Sequence, residues 1–500
     1  MTVINSGVPP SSVGVALALD KSGNAYVVGA QGTEKLGPGG ETIWLAPSTN
    51  GTLAAIALDG SKNVYVTGPA GTARYDTSGS RLWLAESNIG VALSLDSAGN
   101  VYVTGPTGTA KLAPSGGILW QAPWTNGFLT ALALDQTDNA YVTGSSDWDY
   151  VTAKYDTNGN QLWFARFNGR CGLWDVATAI AVDASTNVYV VGGSTVLVYC
   201  PISPGRRCIV SLDTVTIKYD GSGNQCWVTR GRMSGDYSLP PPYDPPRPAI
   251  TLALDQEGNI FVTSPSGMYP RSFSTVKYDR DGDQVWEARN DMSEFSGSAA
   301  SISTALDNFG NLFVAGTGWN PDGCPEYATL KYVQTESPGF PRITVAPQTQ
   351  TIVTQAIVTL HVAATGEEPL VYQWLRNGFP IDGANGATLA LTNPPTADFA
   401  VEVSNALGAI VSREVRVTNL TPVTPCCTHT SDSRIVFSVS GPPDAQYEIQ
   451  FSTDLLNWQT SAVVWADATG VFRTDLEGGG PHAFYRARMV VVFPSCQGAQ

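Results

Sequence analysis

The chain has 500 residues, only 14% of them charged, with a formal net charge of -15 and an abundance of Gly (51), Pro (33) and aromatics (10%). That composition suits many short strands joined by turns better than long helices. It excludes a nucleic-acid partner, which needs dense Lys and Arg, and no apolar run is long enough for a membrane span. The opening "MTVINSGVPP" lacks the basic, apolar and small-residue order of a signal peptide, so either a leader has been removed or the gene begins elsewhere.

From Ala16 onward one pattern recurs seven times. Its first copy, "ALALDKSGNAYVVG", sets an Asp at Asp20 and an Asn four residues later at Asn24. The Asp returns at Asp59, Asp96, Asp135, Asp183, Asp255 and Asp307, each followed at the same spacing by Asn. A basic residue marks a third run (Lys35, Arg74, Lys111, Lys154, Lys218, Lys277, Lys331), and a Trp marks a fourth in six copies (Trp44, Trp83, Trp120, Trp163, Trp227, Trp286). Each copy reads as four short apolar strands separated by turns. Repeats of roughly 40 residues built this way are the signature of propeller blades.

The spacings separate two kinds of connection. Asp to Asn is always four residues, and basic residue to Trp is always nine. Asn to basic residue runs 11, 11, 11, 15, 31, 18 and 20, and Trp to the next Asp runs 15, 13, 15, 20, 28 and 21. In an up-and-down sheet of four strands, alternate turns emerge at opposite ends, so the fixed turns share one end and the variable connections the other. Fixed turns are scaffold, whereas variable connections on a rigid scaffold are where function is usually placed. Each Asp is expected to cap its turn by accepting backbone N–H groups, with the left-handed position taken by Gly23, Gly99, Gly258 and Gly310 or, in other copies, by Lys62, Asp138 and Thr186. One Asp per turn falls short of a calcium loop, so no metal is expected, and "DRDGDQ" (Asp279, Asp281, Asp283) reads as a solvated hairpin. The basic residues are expected to pair with neighbouring acids and the Trp series to pack between blades.

With these residues in place, "ALALDQTDNAYVTGSSDWDYVTAKYDTNGNQLWFARFNG" resembles the bacterial SBBP-type β-propeller repeat, and the resemblance covers about residues 10–333. It implies an all-β seven-bladed propeller over residues 1–335, its "ALALD" strand lining the channel and its Trp strand outermost. The seventh copy lacks a Trp strand. The N-terminal "TVIN" is expected to supply it and close the ring, Phe340 being the weaker choice because Pro341 follows it directly.

Beyond the Pro-marked linker "SPGFPRITVAPQTQ", residues 341–419 resemble an I-set-like bacterial immunoglobulin domain. The resemblance rests on "VTLHVAATGEEPLVYQWLRNGFPI", with Trp374 as core, and on the "VSNALG" hairpin. It implies that Val362 and Val401 stand where such domains carry their inter-sheet cysteines, and Phe399 where they carry the corner tyrosine. Residues 430–494, with "YEIQFSTDLLNWQ" and "HAFYRARMVVV", resemble a small sandwich-like β module found at the ends of secreted bacterial proteins.

Motifs for catalysis are missing: there is no G-x-S-x-G elbow, P-loop, HExxH or dinucleotide fingerprint. The turns "YDTSGSRLW" depart from sialidase spacing, and the adjacent Cys426 and Cys427 lie outside the propeller, unlike the paired cysteines of quinoprotein dehydrogenases. No catalytic residue and no cofactor are therefore assigned. The variable end of blades four to seven instead gathers Trp148, Trp174, Tyr199, Arg206, Arg207, Arg230, Tyr243, Tyr269 and Trp319, with Trp124 on the neighbouring connection. Aromatics with Arg on a rigid surface suit stacking on sugars or anchoring a protein partner; the bland alternative is that they pack long loops onto the ring. Cys171, Cys200, Cys208 and Cys324 fall in the same connections, where disulfides would stiffen insertions, while Cys226 in a fixed turn is expected to be free. The expectation is a secreted or cell-surface monomer that binds a glycan or protein ligand without catalysis. The alternative is a propeller enzyme, a polysaccharide lyase or glycoside hydrolase, with its site at the channel mouth.

Overall fold

The computed structural model describes residues 14–492 apart from 30–31, 48–52, 87–88, 170–173, 200–207, 240–249, 267–271, 292–301, 308–309, 320–324, 334–338, 354–355, 421–423, 430–434, 441–444, 453–458, 466–470 and 477–483. Among the described residues every regular element is a β-strand, and no helix is long and apolar enough to cross a membrane. The chain divides into two compact units: residues 1–342 with Leu407–Arg413, and Ile343–Ala406 with residues 414–500.

The first unit is a series of antiparallel sheets whose strands follow chain order. Six have four strands (14–47, 55–85, 92–123, 127–167, 175–239 and 251–291), and a seventh (302–332) has three described strands. They are called sheets one to seven below. The "TVIN" segment lies outside the described residues, and Phe340 sits in a bend rather than a strand. Second and third strands are buried on both faces, as in the "VYVTG" run Val64–Gly68, because each face meets a neighbouring sheet. The core is accordingly a set of clusters, each shared by two sheets. One joins Tyr141 and Tyr150 of sheet four to Val188, Val190, Val215 and Ile217 of sheet five.

First strands of successive sheets lie beside one another all along the series. Two hydroxyls reinforce this contact: Thr130 Oγ1 donates to the Ala177 carbonyl at 2.7 Å, and Thr178 Oγ1 to the Ile250 carbonyl at 3.0 Å. Face-to-face sheets meeting along their first strands have the packing of propeller blades.

Sheet five departs from the loop reading of its insertions. Its strands Val188–Tyr199, Cys208–Tyr219 and Gln225–Leu239 reach 12, 12 and 15 residues, against seven for the corresponding strands of sheet four. Val210 pairs with Tyr237 and Cys208 with Leu239, so the described ends of these two insertions, Val196–Tyr199 and Gly235–Leu239, are strand. Extending the sheet gives the inserted backbone N–H and C=O groups partners that a long loop would have to find elsewhere.

In the second unit, Gln350–Val353 runs parallel to Val415–Leu420, which continues through Ala397–Asn405 to Val371–Arg376 and Phe379–Pro380; Ile357–His361 pairs separately with Thr388–Thr392. Trp374 is fully buried, its Nε1 donating to the Gly386 carbonyl at 2.8 Å, and Val362, Val401 and Phe399 are buried with it. Six further strands form two three-stranded sheets, Thr424–His429 with Ile435–Ser440 and Val471–Leu476, and Gln459–Trp465 with Ala445–Ser452 and Phe484–Val492.

Candidate functional site

The fixed turns use up their own carboxylates. In sheet four, Asp135 Oδ1 accepts the N–H groups of Thr137 and Asn139, while Oδ2 accepts the Asn139 amide at 2.9 Å and the Tyr141 hydroxyl at 3.0 Å. Lys154 stands 3.8 Å from the same Oδ2 and lies over the Tyr141 ring at 4.8 Å. The same stack of base on aromatic ring recurs at Lys35–Tyr26, Arg74–Tyr65, Lys111–Tyr102, Lys218–Tyr189, Lys277–Phe261 and Lys331–Phe313. The aromatic member went unnoticed in the repeat, although an aromatic six residues after every Asp announces it. Lys62, Asp138 and Thr186 keep the left-handed backbone of the glycines they replace, at φ of 64°, 62° and 64°. Two of them reach the preceding sheet: Lys62 donates to Ser22 at 2.8 Å, and Asp138 accepts the Ser97 hydroxyl at 2.6 Å.

The Trp series joins each sheet to the next. Trp44, Trp83, Trp120, Trp163 and Trp227 donate from Nε1 to carbonyls in the following sheet's second fixed turn, at 2.9–3.2 Å. A glycine in that turn lies on each indole. At Gly159, φ is +86° and a Cβ would stand 2.7 Å from the Trp120 ring, so only glycine fits.

The opposite end has a different character. The turn Asp147–Trp148 has positive φ at both residues (47° and 71°), the geometry of a two-residue hairpin turn that Asn-Gly usually supplies. Trp148 is 58% exposed and meets Trp174 edge to face, with ring centroids 5.8 Å apart. The Trp148 carbonyl accepts the Asp175 N–H at 2.7 Å, and the Trp174 carbonyl accepts both the N–H and the hydroxyl of Thr195. Arg166 flanks the turn, bonding Asp149 through Nε and reaching Asp147 at 3.6 Å. Two indoles on a fixed frame, with a partly exposed guanidinium beside them, form a surface for stacking and for holding a polar group.

Beneath this surface lies Asp175, fully buried. Its Oδ2 accepts the Gly169 N–H, and its carbonyl accepts Ser145 Oγ at 3.0 Å. Burial pushes the carboxyl up to about 7, although Ser194, the Gly169 N–H and the Arg230 guanidinium all favour its ionised form. The sequence reading missed Asp175, because nothing about "WDVATA" says that its carboxylate enters the gap between two sheets.

Of the residues singled out in the sequence, Trp148 and Trp174 come together. Trp124 packs inward, its ring tilted on Phe164 at 6.1 Å within the core between sheets three and four. Arg230 lies on a strand with its guanidinium 5.4 Å over the Phe167 ring. Tyr199 and Trp319 also lie on strands rather than in loops. Arg206, Arg207, Tyr243 and Tyr269 fall outside the described residues, as do Cys171, Cys200 and Cys324. Cys226 is free and exposed. Among the described residues no group of three or more His, Cys, Asp or Glu side chains is placed to hold a metal ion.

No family model matches the chain. An uncharacterized WD repeat-containing protein of Acanthamoeba polyphaga mimivirus is 24% identical over 211 residues, an alignment covering 34% of this chain. The chain spans only 14% of that relative's length. Among solved structures, the extracellular domain of a hybrid two-component system protein from B. thetaiotaomicron superposes with a TM-score of 0.41 at 12% identity, covering 83% of this chain and 57% of that one. The Dos1 propeller gives a TM-score of 0.41 at 10% identity, covering 63% and 78% respectively. The extracellular domain of another such B. thetaiotaomicron protein gives 0.31 at 12% identity, covering 96% and 87%.

Proposed function

We propose that the protein is a non-enzymatic extracellular or cell-surface binding protein that takes a glycan or protein ligand at the variable end of sheets four to seven. In this reading residues 1–335 are a seven-bladed SBBP-type propeller, its last sheet completed by the N-terminal segment. Residues 341–419 are an immunoglobulin-like spacer, and residues 430–494 are a terminal β module. The ligand surface is centred on Trp148 and Trp174, with Arg166 beside them; Tyr199, Arg206, Arg207, Tyr243, Tyr269 and Trp319 extend it. Trp124 and Arg230 serve it from within the packing.

The observation that carries this reading is Trp148 itself. A left-handed backbone costs a residue with a side chain about 1–2 kcal/mol, and an indole left 58% exposed recovers little of that by burial. Strain kept at an exposed aromatic is the kind of outlier that a binding role explains. The test is a glycan and protein-ligand array read with the native chain and with Trp148→Ala, Trp174→Ala and Trp319→Ala. Loss of about ten-fold or more in affinity at Trp148 and Trp174 is expected, a size typical of aromatic anchors. Unchanged binding by all three variants overturns the assignment.

A further inference from the structure

Trp148 and Trp174 meet as a corner rather than as a platform. Their rings are inclined at 73° with centroids 5.8 Å apart, so the edge of one indole stands on the face of the other. They come from different sheets. Trp148 lies in the hairpin between the second and third strands of sheet four, and Trp174 immediately precedes the first strand of sheet five. Backbone bonds fix both, since the Trp148 carbonyl accepts the Asp175 N–H and the Trp174 carbonyl accepts two donors of Thr195. A flat ligand needs one open face or two parallel ones. Two faces near a right angle instead present a concave corner, which fits a rounded group that touches both.

Electrostatics sets the charge of that group. Indole faces carry the negative side of the ring quadrupole, and among aromatic rings Trp attracts a cation most strongly. Asp147, beside Trp148 in the same two-residue turn, brings a carboxylate that is 56% exposed. Arg166 does not cancel it. The guanidinium makes its close bond through Nε to Asp149, whose side chain is nearly buried, and stands 3.6 Å from Asp147. These two carboxylates share one guanidinium, in a chain whose net charge is -15. An anionic ligand such as an acidic sugar meets repulsion here, and a cation is drawn in. A bare ammonium gives up strong hydration to enter an apolar corner, whereas one wrapped in methyl groups loses less and packs against both rings.

We propose that the corner of Trp148 and Trp174 binds a methylated ammonium group, with the Asp147 carboxylate as its counter-ion. The proposal rests on these residues being the ligand surface and names the chemistry which that surface selects. The methyl groups lie against the two indole faces. Trp148 keeps an exposed side chain on a left-handed backbone because one wall of the corner must stand clear of the sheet. Two sources carry such a group, a free choline-type molecule and a trimethylated lysine of a partner protein, and the probes separate them.

The test uses the full chain and saturation-transfer NMR read on the ligand methyl signals. Choline and Nα-acetyl-Nε-trimethyl-lysinamide are the cationic probes. The neutral ones are methyl β-glucoside and 3,3-dimethylbutan-1-ol, which has the shape of choline without its charge. At least one cation should bind, about three-fold or more tightly than the neutral alcohol. Trp148→Gly, which relaxes the left-handed position, should lower that affinity by about ten-fold or more, and Asp147→Asn, which keeps the turn, by about three-fold. Preference for choline marks a small-molecule ligand, and preference for the lysine derivative marks a protein partner; either supports the proposal. Failure of both cations to bind, or binding no tighter than that of the alcohol, overturns it. Equal binding by a folded Trp148→Gly variant does the same. Binding of the glucoside alone, lost in Trp148→Gly, overturns the methylated ammonium and leaves the ligand surface standing.

Discussion

Asp135 and Asp175 begin and end in the same chemistry, a carboxylate removed from water in adjoining sheets, and yet they titrate in opposite directions. Asp135, at the fixed-turn end, is 8% exposed; burial raises its pKa, but the bonds from Asn139 and Thr137 outweigh this and hold it at about 2. Asp175, at the variable end, is fully buried with fewer donors, and burial wins, pushing it to about 7. The difference lies in local donors. A repeated turn supplies its own N–H groups within four residues, whereas Asp175 depends on whatever the neighbouring connection brings. One end of these sheets is built to be stable, and the other tolerates an unfavourable charge.

The strongest test of the scaffold end is Gly159→Ala. A Cβ on a left-handed backbone, driven against Trp120, should cost about 2–4 kcal/mol, read as a lowered midpoint in urea unfolding. A cost below about 0.5 kcal/mol would mean that the Trp-on-glycine joint does not hold the sheets together.

Next in size is Asp135→Ala, which strands Lys154 and the Tyr141 hydroxyl and removes the turn's acceptor, for about 2–3 kcal/mol. Its pH signature follows from the depressed pKa. The contribution is present above the unfolded value of about 4 and is lost as pH falls toward about 2. Thermal melts of the native chain and the variant should therefore converge in acid.

Asp175→Asn should change stability least near pH 4, and its effect lies in the pH profile. Because the folded pKa is raised, the folded state holds the proton more tightly, and the native chain loses stability as pH rises from about 4 to about 7. The Asn variant should lack that decline while matching the native chain near pH 4. If both profiles run parallel, the electrostatic contrast between the two ends is wrong.

Much of the scaffold was legible because its signals are local. Asp20 to Asn24 and Lys35 to Trp44 are spacings within single turns, where side-chain caps and left-handed positions act over a few residues. The site was legible only as a list of aromatics. Trp148 and Trp174 are 26 residues apart in the sequence, and Trp124, equally aromatic and equally close to a connection, turned inward. No local signal separates an indole that faces solvent from one that plugs a gap. The long strands of sheet five were hidden for a related reason: the residues flanking its insertions read as loop until the register joins Val210 to Tyr237.

The sequence by itself determined the repeat, the four-stranded unit, the fixed and variable connections and the acidic, helix-poor character of the chain. These follow from turn chemistry and strand period, which need only neighbours in sequence. The tertiary structure alone decided that Asp175 is buried, that Trp148 and Trp174 meet, and that Trp124 packs into the core between sheets three and four. Each of these depends on what the next sheet presents across the interface, and burial, charge and free volume are properties of that pairing rather than of either strand.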